Sequence, residues 1–168
     1  MGNLYVLKTV LKIPSSIENV WSFFSNPENL RHLTPPSLNL IVNGKPNGTK
    51  IYPGQLISYN VRPVLNIPVK WVTEITQVKN HVMFIDEQRK GPYKLWHHEH
   101  HFKEIDGGTE MTDLVYYMLP FGFLGNLVHP FLVQKKLHEI FSFRYQKIRE
   151  IFGEWPQQQE LEINIECN

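Results

Sequence analysis

The sequence lacks the features that mark several large classes of protein. Cysteine occurs once, as Cys167, so no disulfide can form within the chain, and a reducing compartment is favoured. No apolar run is long enough to cross a bilayer. The first eight residues interleave charged and apolar side chains, so we expect no signal peptide. Together these observations predict a cytoplasmic protein without a membrane span.

An excess of charge of one sign is also missing. Lys and Arg number 17 and Asp and Glu 16, which gives a net charge of +1, and the basic residues are scattered. We therefore expect no nucleic-acid partner. The sequence contains no P-loop, Rossmann glycine pattern, CxxC pair or GxSxG elbow, which disfavours nucleotide chemistry and serine hydrolysis. The oligomeric state is left open.

The chain is long enough for one domain with a buried core. Alternation of apolar and polar residues over 5–13 predicts a first strand. Ser15 and Glu18 form a capping box that starts a short helix, and Asn26 followed by Pro27 starts a second. Short turns then separate six runs that predict an antiparallel meander, at 38–42, 55–61, 69–78, 81–88, 91–102 and 110–119.

Beyond residue 120 the apolar residues recur at helical spacing. The interval 130–152 contains about 23 residues, or roughly 34 Å of helix, which is enough to cross a small sheet. Gly153 is placed to end this helix. Residues 154–168 are mostly polar. We interpret them as a tail outside a single domain of residues 1–153.

Four histidines lie within five positions of the stretch GPYKLWHHEHHF, residues 91–102. In a strand, Trp96, His98, His100 and Phe102 share one face. Because two large aromatic residues bracket this set, we predict that it faces inward. Two imidazoles would then face the interior of the protein.

Four segments carry a resemblance to a known superfamily: VWSFFSNPENLRHLTPP, FIDEQRKGPYKLWHHEHHF, GTEMTDLVYYMLPFG and IFSFRYQKI. They resemble the START-like or SRPBCC proteins, in particular the small bacterial members of undetermined function. The resemblance implies an α+β helix-grip fold. In this fold a curved antiparallel sheet, here of seven strands, wraps around a long C-terminal helix, and two short helices follow the first strand. It also implies a hydrophobic cavity between the sheet and the long helix.

The superfamily includes lipid-transfer domains, polyketide cyclases and chaperone activators, so the resemblance implies no single chemistry. Our leading hypothesis is the binding of a hydrophobic or amphipathic small molecule, lipid-like or polyketide-like, in a cavity of about 300 to 1,000 Å³. The glycine-rich loop at 120–125 is either a lid over this cavity or an ordinary turn. The predicted ligand-binding residues are Trp71, Phe84, Trp96, His98, His100, Phe102, Asp113, Tyr117, Phe131 and Phe141.

An enzyme of cyclase, dehydratase or hydrolase type is the alternative hypothesis. An imidazole of His98 or His100 would act as general acid or base, with Asp113 orienting it and Tyr117 as a hydrogen-bond donor. The same histidine–aspartate contact can also merely stabilise a buried charge. Further polar candidates are Asp86, Gln88 and Arg144, but the pattern of strand 81–88 does not show which of its faces is inward.

A metal site is the third hypothesis. His98, His100 and Glu104 keep strand parity and are similar to the two-histidine, one-carboxylate sets of cupins. Helices at both ends of the chain argue against a cupin, and Glu104 would reach the histidines only if the strand curled. Asp113 is the better third ligand. From the sequence we therefore expect no cofactor and less than stoichiometric metal, with the histidines bonded to Asp113, a tyrosine hydroxyl or water.

Overall fold

The computed structural model describes residues 2–44, 50–62, 67–122, 125, 127, 129–156 and 161–167. The helices are α1 (Ile17–Phe24) and α2 (Gln134–Phe152). Two 3₁₀ segments, Pro27–Leu33 and Pro36–Leu38, follow α1, and a π-helical turn, His129–Val133, directly precedes α2. The strands are β1 (Leu4–Ile13), β2 (Ile41–Asn43), β3 (Gln55–Val61), β4 (Val69–Lys79), β5 (Met83–Lys90), β6 (Leu95–Ile105), β7 (Gly108–Met118) and β8 (Asn164–Cys167).

The strands form one antiparallel sheet in the order β2-β3-β4-β5-β6-β7-β1-β8. This arrangement, with the long C-terminal helix, confirms the predicted α+β helix-grip class. The sheet has eight strands where the sequence predicted seven, because part of the predicted polar tail forms β8. Tyr5 of β1 pairs with Cys167, and Ile163 and Ile165 pack against the core. Without β8, this stretch of β1 would be an open edge.

Both short helices begin at side-chain caps. The Ser16 hydroxyl accepts a hydrogen bond from the Asn19 N–H at 3.4 Å, so the cap is one residue later than predicted. Ser15 is still part of the preceding turn, because its N–H donates to the Ile13 carbonyl at 2.8 Å. The predicted cap at Asn26 is confirmed, since its Oδ1 accepts from the Glu28 N–H at 3.0 Å.

Helix α2 packs one apolar stripe against the sheet. The stripe consists of Leu137, Phe141, Tyr145 and Ile148, which are all buried. The helix ends at Gly153 as predicted, where a φ of +93° suits glycine and the N–H donates to the Arg149 carbonyl at 2.9 Å. Among the described residues, no helix combines the length and apolar character needed to cross a bilayer.

The buried core has two parts along this stripe. Near α1, Trp21 packs edge-on against Phe102, with 5.4 Å between ring centroids, and Ile148 belongs to the same cluster. Towards the other end, Leu137 and Phe141 pack with side chains of β1 and β7. These contacts fix α2 across the concave face of the sheet and leave a cavity beside it.

Candidate ligand cavity and its histidine–aspartate cluster

The cavity lies between the inner face of the sheet, the 3₁₀ segments and α2, and has a volume of about 200 Å³. It is thus smaller than the 300 to 1,000 Å³ expected from the sequence. Bulky side chains reduce the space, since the rings of Trp71, Tyr93 and Trp96 contact one another at 4.7–5.6 Å. Most of the wall is apolar, and the polar side chains lining it include Tyr59, Thr73, Asp86, His98, His100 and Arg144.

Six of the ten predicted ligand-binding residues line this cavity: Trp71, Phe84, Trp96, His98, His100 and Phe141. Several other wall residues were not predicted as ligand contacts, among them Ile57, Tyr59, Thr73 and Ile75. Their alternation along β3 and β4 was the available signal, because a half-buried strand directs every second side chain inward.

The other four predicted residues lie elsewhere. Phe102 packs within the core beside Trp21 and Phe24, while Asp113 is buried next to the histidines. Tyr117 is buried behind the wall, where its ring packs against the lining residues Tyr93 and Trp96. Phe131 is 74% exposed, which corrects its prediction as a cavity residue. It belongs to the π-helical turn His129–Val133, which has more residues per turn than an α-helix and so shifts the phase of the apolar stripe.

Strand β5 turns Asp86 into the cavity and leaves Gln88 at its margin. The sequence left this facing open because both faces of the strand carry apolar residues, and Phe84 and Ile85, on opposite faces, are both buried. Asp86 lies opposite His98 in the β5–β6 ladder. The Gln88 amide instead donates to the Tyr93 carbonyl at 2.7 Å and accepts from the Tyr93 N–H at 3.2 Å, which fixes the turn before β6.

Two imidazoles and two carboxylates form a compact cluster on three neighbouring strands. The rings of His98 and His100 on β6 are 3.8 Å apart between centroids. Asp113 on β7 lies opposite His100 but forms its hydrogen bond with His98 Nε2, at 3.0 Å. Asp86 Oδ2 accepts from His100 Nε2, also at 3.0 Å. Each carboxylate is therefore hydrogen-bonded to the histidine diagonal to it.

The remaining two ring nitrogens complete the contacts. His98 Nδ1 is 3.6 Å from Asp86 Oδ2, and His100 Nδ1 is 2.7 Å from Asp113 Oδ1. The second contact has ion-pair distance but lacks hydrogen-bond alignment, so His100 Nδ1 has no hydrogen-bond partner among the described residues. Phe84 stacks on His100 with 4.2 Å between centroids. Each imidazole thus has one nitrogen towards Asp113 and the other towards Asp86.

Helix α2 contributes Arg144 to this cluster. Its Nη1 donates to Asp113 Oδ1 at 3.3 Å, and the guanidinium lies 5.3 Å from the centre of the Phe141 ring. The Arg144 Nε is buried and has no hydrogen-bond partner among the described residues. The charge of Asp113 is therefore balanced mainly from the helix, whereas Asp86 faces the cavity and the two imidazoles.

The cluster shifts the pKa values of the two histidines in opposite directions. Burial, reinforced by the neighbouring His100, lowers the pKa of His98 to about 4. Burial alone would lower the pKa of His100 too, but its contacts with Asp113 and Asp86 outweigh that effect and raise it. Although burial opposes ionisation, Arg144 and the two histidines hold the pKa of Asp113 well below its usual range. A proton is therefore held more readily by His100 than by His98.

Tyr117 takes part in a separate buried contact. Its hydroxyl lies 2.7 Å from His129 Nε2, and Tyr5 stacks on the His129 ring with 3.7 Å between centroids. Burial raises the pKa of Tyr117 and lowers that of His129. Tyr117 is thus placed to anchor the turn before α2, from behind the cavity wall.

The other residues of the histidine stretch lie on the outer face of β6. His97 contacts Glu87 and Glu99 at 3.0 and 3.1 Å, and His101 contacts Glu99 at 2.7 Å. Glu104 is exposed at the far end of the strand and does not join the cluster. Residues 123 and 124 of the loop proposed as a lid lie outside the described residues.

Comparison with known proteins identifies similar structures only. No protein-family model matches the sequence, and no curated protein is significantly similar to it. Major latex-like protein 151 from Panax ginseng is 13% identical, with a TM-score of 0.65, over 90% of this chain and 99% of that one. Protein Ms6760 from Mycobacterium smegmatis is 18% identical, with a TM-score of 0.62, over 87% and 89%.

A nucleoside-diphosphate sugar epimerase from Corynebacterium glutamicum contains a similar unit. It is 23% identical, with a TM-score of 0.60, over 85% of this chain but only 28% of its own length. At this level of identity the similarities concern the fold. They agree with the strand order and the long C-terminal helix, and the chain has the α+β helix-grip fold.

Proposed function

We propose that the protein binds a compact hydrophobic or amphipathic molecule in the cavity between the sheet and α2. The observation that carries the proposal is the contrast within the wall. Aromatic and aliphatic side chains form most of it, and Asp86, His98, His100 and Arg144 gather at one region. Small-molecule sites are commonly built in this way, with a few convergent polar groups in an apolar pocket.

The volume restricts the size of the ligand. An apolar cavity of about 150 Å³ holds benzene, so the 200 Å³ found here suits a molecule with one or two rings better than a long acyl chain. A polyketide-like aromatic compound fits this limit more readily than a membrane lipid. Its polar substituent would meet the cluster, where the buried Arg144 Nε offers a donor without a partner among the described residues.

Two isoleucines of α2 allow a matched test. Ile140 lines the cavity, whereas Ile151 is exposed on the same helix. We expect 2-naphthol, a two-ring probe with one hydroxyl, to raise the melting temperature of the wild-type protein and of I151W. I140W, whose indole fills the cavity, should lose this response. An equal response in both variants, or none in the wild type, would contradict the proposal.

Membership of the START-like superfamily and a cytoplasmic location form part of the same proposal. The first is supported by the helix-grip fold together with the four sequence segments that resemble the superfamily. The second is supported by the single, exposed cysteine, Cys167. Neither point depends on the identity of the ligand.

Catalysis on the bound molecule is a second candidate function, favoured by one contact. Asp113 holds His98 Nε2 at 3.0 Å, which leaves Nδ1 on the side of Asp86 and the cavity. An imidazole oriented by a buried carboxylate is a common general base, worth about 10² to 10⁴ in rate. If a reaction is found, H98Q should lose that factor and still bind the ligand. H98Q with unchanged turnover would leave only the binding function.

A further inference from the structure

We propose that Asp86, His98 and His100 bind a divalent first-row transition-metal ion at the polar region of the cavity. One potential ligand atom from each residue lies within 4.8 Å of the other two. Two neutral imidazoles and a carboxylate suit Zn²⁺, Fe²⁺, Mn²⁺ or Co²⁺. This site goes beyond the binding of a small organic molecule and does not depend on it.

The atoms that face one another already have nearly the spacing of a coordination sphere. With metal–nitrogen and metal–oxygen bonds of about 2.0 to 2.2 Å, neighbouring ligand atoms in a tetrahedral site are roughly 3.3 to 3.6 Å apart. Asp86 Oδ2 is 3.6 Å from His98 Nδ1 and 3.0 Å from His100 Nε2. Both contacts of Asp86 are therefore close to the spacing that a shared ion requires, and the set as a whole lies within 4.8 Å.

Asp113 provides the outer support that metal-binding histidines usually have. Its Oδ1 lies 3.0 Å from His98 Nε2 and 2.7 Å from His100 Nδ1, which are the two nitrogens directed away from Asp86. His98 Nε2 is hydrogen-bonded to Asp113 here, whereas His100 Nδ1 only lies at ion-pair distance. In the metal-bound form hydrogens on these two nitrogens would leave His98 Nδ1 and His100 Nε2 to coordinate, and the ion would replace the hydrogen bond that His100 Nε2 makes with Asp86 in the metal-free protein. A carboxylate behind a metal-bound imidazole fixes the tautomer and the orientation of the ring.

The charges around the cluster also favour a cation beside Asp86. Arg144 contacts Asp113 and not the proposed metal ligands. The ion-pair contacts of Asp86 within the described residues are to the two imidazoles alone. With both imidazoles neutral, two carboxylates and one guanidinium leave a single negative charge for the ion to offset. Three protein ligands on a cavity wall also leave a coordination position for water or an organic ligand.

The carboxylate of the proposed site, Asp86, differs from the third ligand that the sequence suggested. The sequence offered Glu104 and, as the better third ligand, Asp113. Glu104 is exposed, away from the histidines, and Asp113 contacts the two ring nitrogens that are directed away from Asp86. Asp86 supplies the missing group because β5 lies directly beside β6 and pairs Asp86 with His98. A set of two histidines with one carboxylate is thereby complete within one wall of the cavity.

Metal titration of the full chain, stripped with EDTA and free of organic ligand, tests the site. We expect calorimetry to show one equivalent of Zn²⁺ and Co²⁺ to give a saturable visible absorption. D86N, H98Q and H100Q should each weaken Zn²⁺ binding at least tenfold. D113N, which removes only the supporting carboxylate, should weaken it about 10- to 100-fold. The double variant H97Q/H101Q on the outer face is the matched control and should bind as the wild type does.

Nitrogen-15 NMR of the wild-type histidine rings identifies the ligands without relying on a variant that folds. Zn²⁺ should shift His98 Nδ1 and His100 Nε2. No saturable binding, or binding that disappears in H97Q/H101Q and persists in D86N, would overturn the proposal. Ring shifts confined to His97 and His101 would overturn it as well. Because 2-naphthol is tested on the stripped protein, failure of either proposal is recognised separately.

Discussion

Asp113 on β7 and Arg144 on α2 form a buried ion pair, with 3.3 Å between Asp113 Oδ1 and Arg144 Nη1. It joins the sheet to the long helix directly behind the two histidines. Both side chains are largely removed from water, so neither charge is well solvated by itself. The contact therefore links the stability of the fold to the geometry of the cluster.

Removal of the anion should be costly. In D113N the Arg144 guanidinium keeps its charge in a buried position without its partner, and such a loss typically costs about 3 to 5 kcal/mol. We expect urea denaturation to show a decrease of that size in the free energy of unfolding. E110Q, on the same strand and only partly buried, should stay within about 0.5 kcal/mol of the wild type.

A double-mutant cycle separates this contact from general damage. D113N and R144M should be non-additive by about 0.5 to 3 kcal/mol, since the second change removes the charge that the first leaves without a partner. Additive effects would show that the two side chains do not stabilise each other.

Thr73 is the centre of a second polar contact in the cavity wall. Its hydroxyl oxygen lies 3.1 Å from the Tyr59 hydroxyl and accepts from the Trp71 indole N–H at 3.1 Å. T73V keeps the shape but removes this oxygen, so we expect a loss of about 1 to 3 kcal/mol in the free energy of unfolding. T112V on the outer face of β7 is the control. A stable T73V with unchanged tryptophan fluorescence would show that the contact contributes nothing.

Alternation along a strand predicted which face of β6 is buried, and the same alternation is found in β7. His98, His100 and Asp113 lie on the inner faces because a single shift in register would expose every apolar neighbour as well. The sequence could not assign Asp86, since its strand has apolar residues on both faces and buries Phe84 as well as Ile85. Arg144 was recognised as polar, but its contact with Asp113 arises only when α2 packs on the sheet.

The sequence pattern also failed to predict β8 and the exposure of Phe131. The alternation around Ile163 and Ile165 is too weak and too short to predict a strand, and β8 forms because β1 offers an edge. Phe131 was placed on the apolar stripe by regular helical spacing, which the π-helical turn interrupts. In each case the missing information was a tertiary contact or a local departure from regular geometry.

Deletion of residues 161–168 should destabilise the domain. Leu161, Ile163 and Ile165 are partly buried against the core, and three half-buried aliphatic side chains contribute roughly 2 to 4 kcal/mol. Urea denaturation should show a loss of that order. The control E166Q/C167S changes only exposed positions of β8 and should behave as the wild type. A deletion without effect would mean that β8 does not stabilise the sheet.

Burial of His129 should make the stability fall in mild acid. Its pKa is lowered in the folded protein, so the unfolded chain binds a proton as pH falls through about 6.5 while the folded chain does not. Stability contributed at neutral pH is thus lost progressively below that value. Burial is the cause of the shift, and Tyr117, hydrogen-bonded to Nε2, and Tyr5, stacked on the ring, are the aromatic groups that contact the imidazole.

Urea denaturation of the wild type and of H129Q, each at pH 7 and pH 5, measures how much stability His129 contributes to this pH dependence. The wild type should lose more stability between the two values than H129Q, which cannot titrate at this position. Equal losses in the two proteins would show that His129 is not responsible.

The direct test of ligand binding in the cavity is the observation of intermolecular NOEs between bound 2-naphthol and assigned methyl groups. Ile57 and Ile75 face the cavity from β3 and β4, whereas Leu56 is 64% exposed on the other face of β3. We predict NOEs from the probe to the methyls of Ile57 and Ile75 and none to Leu56. NOEs to Leu56 alone, or none to the two isoleucines at saturating probe, would contradict the account.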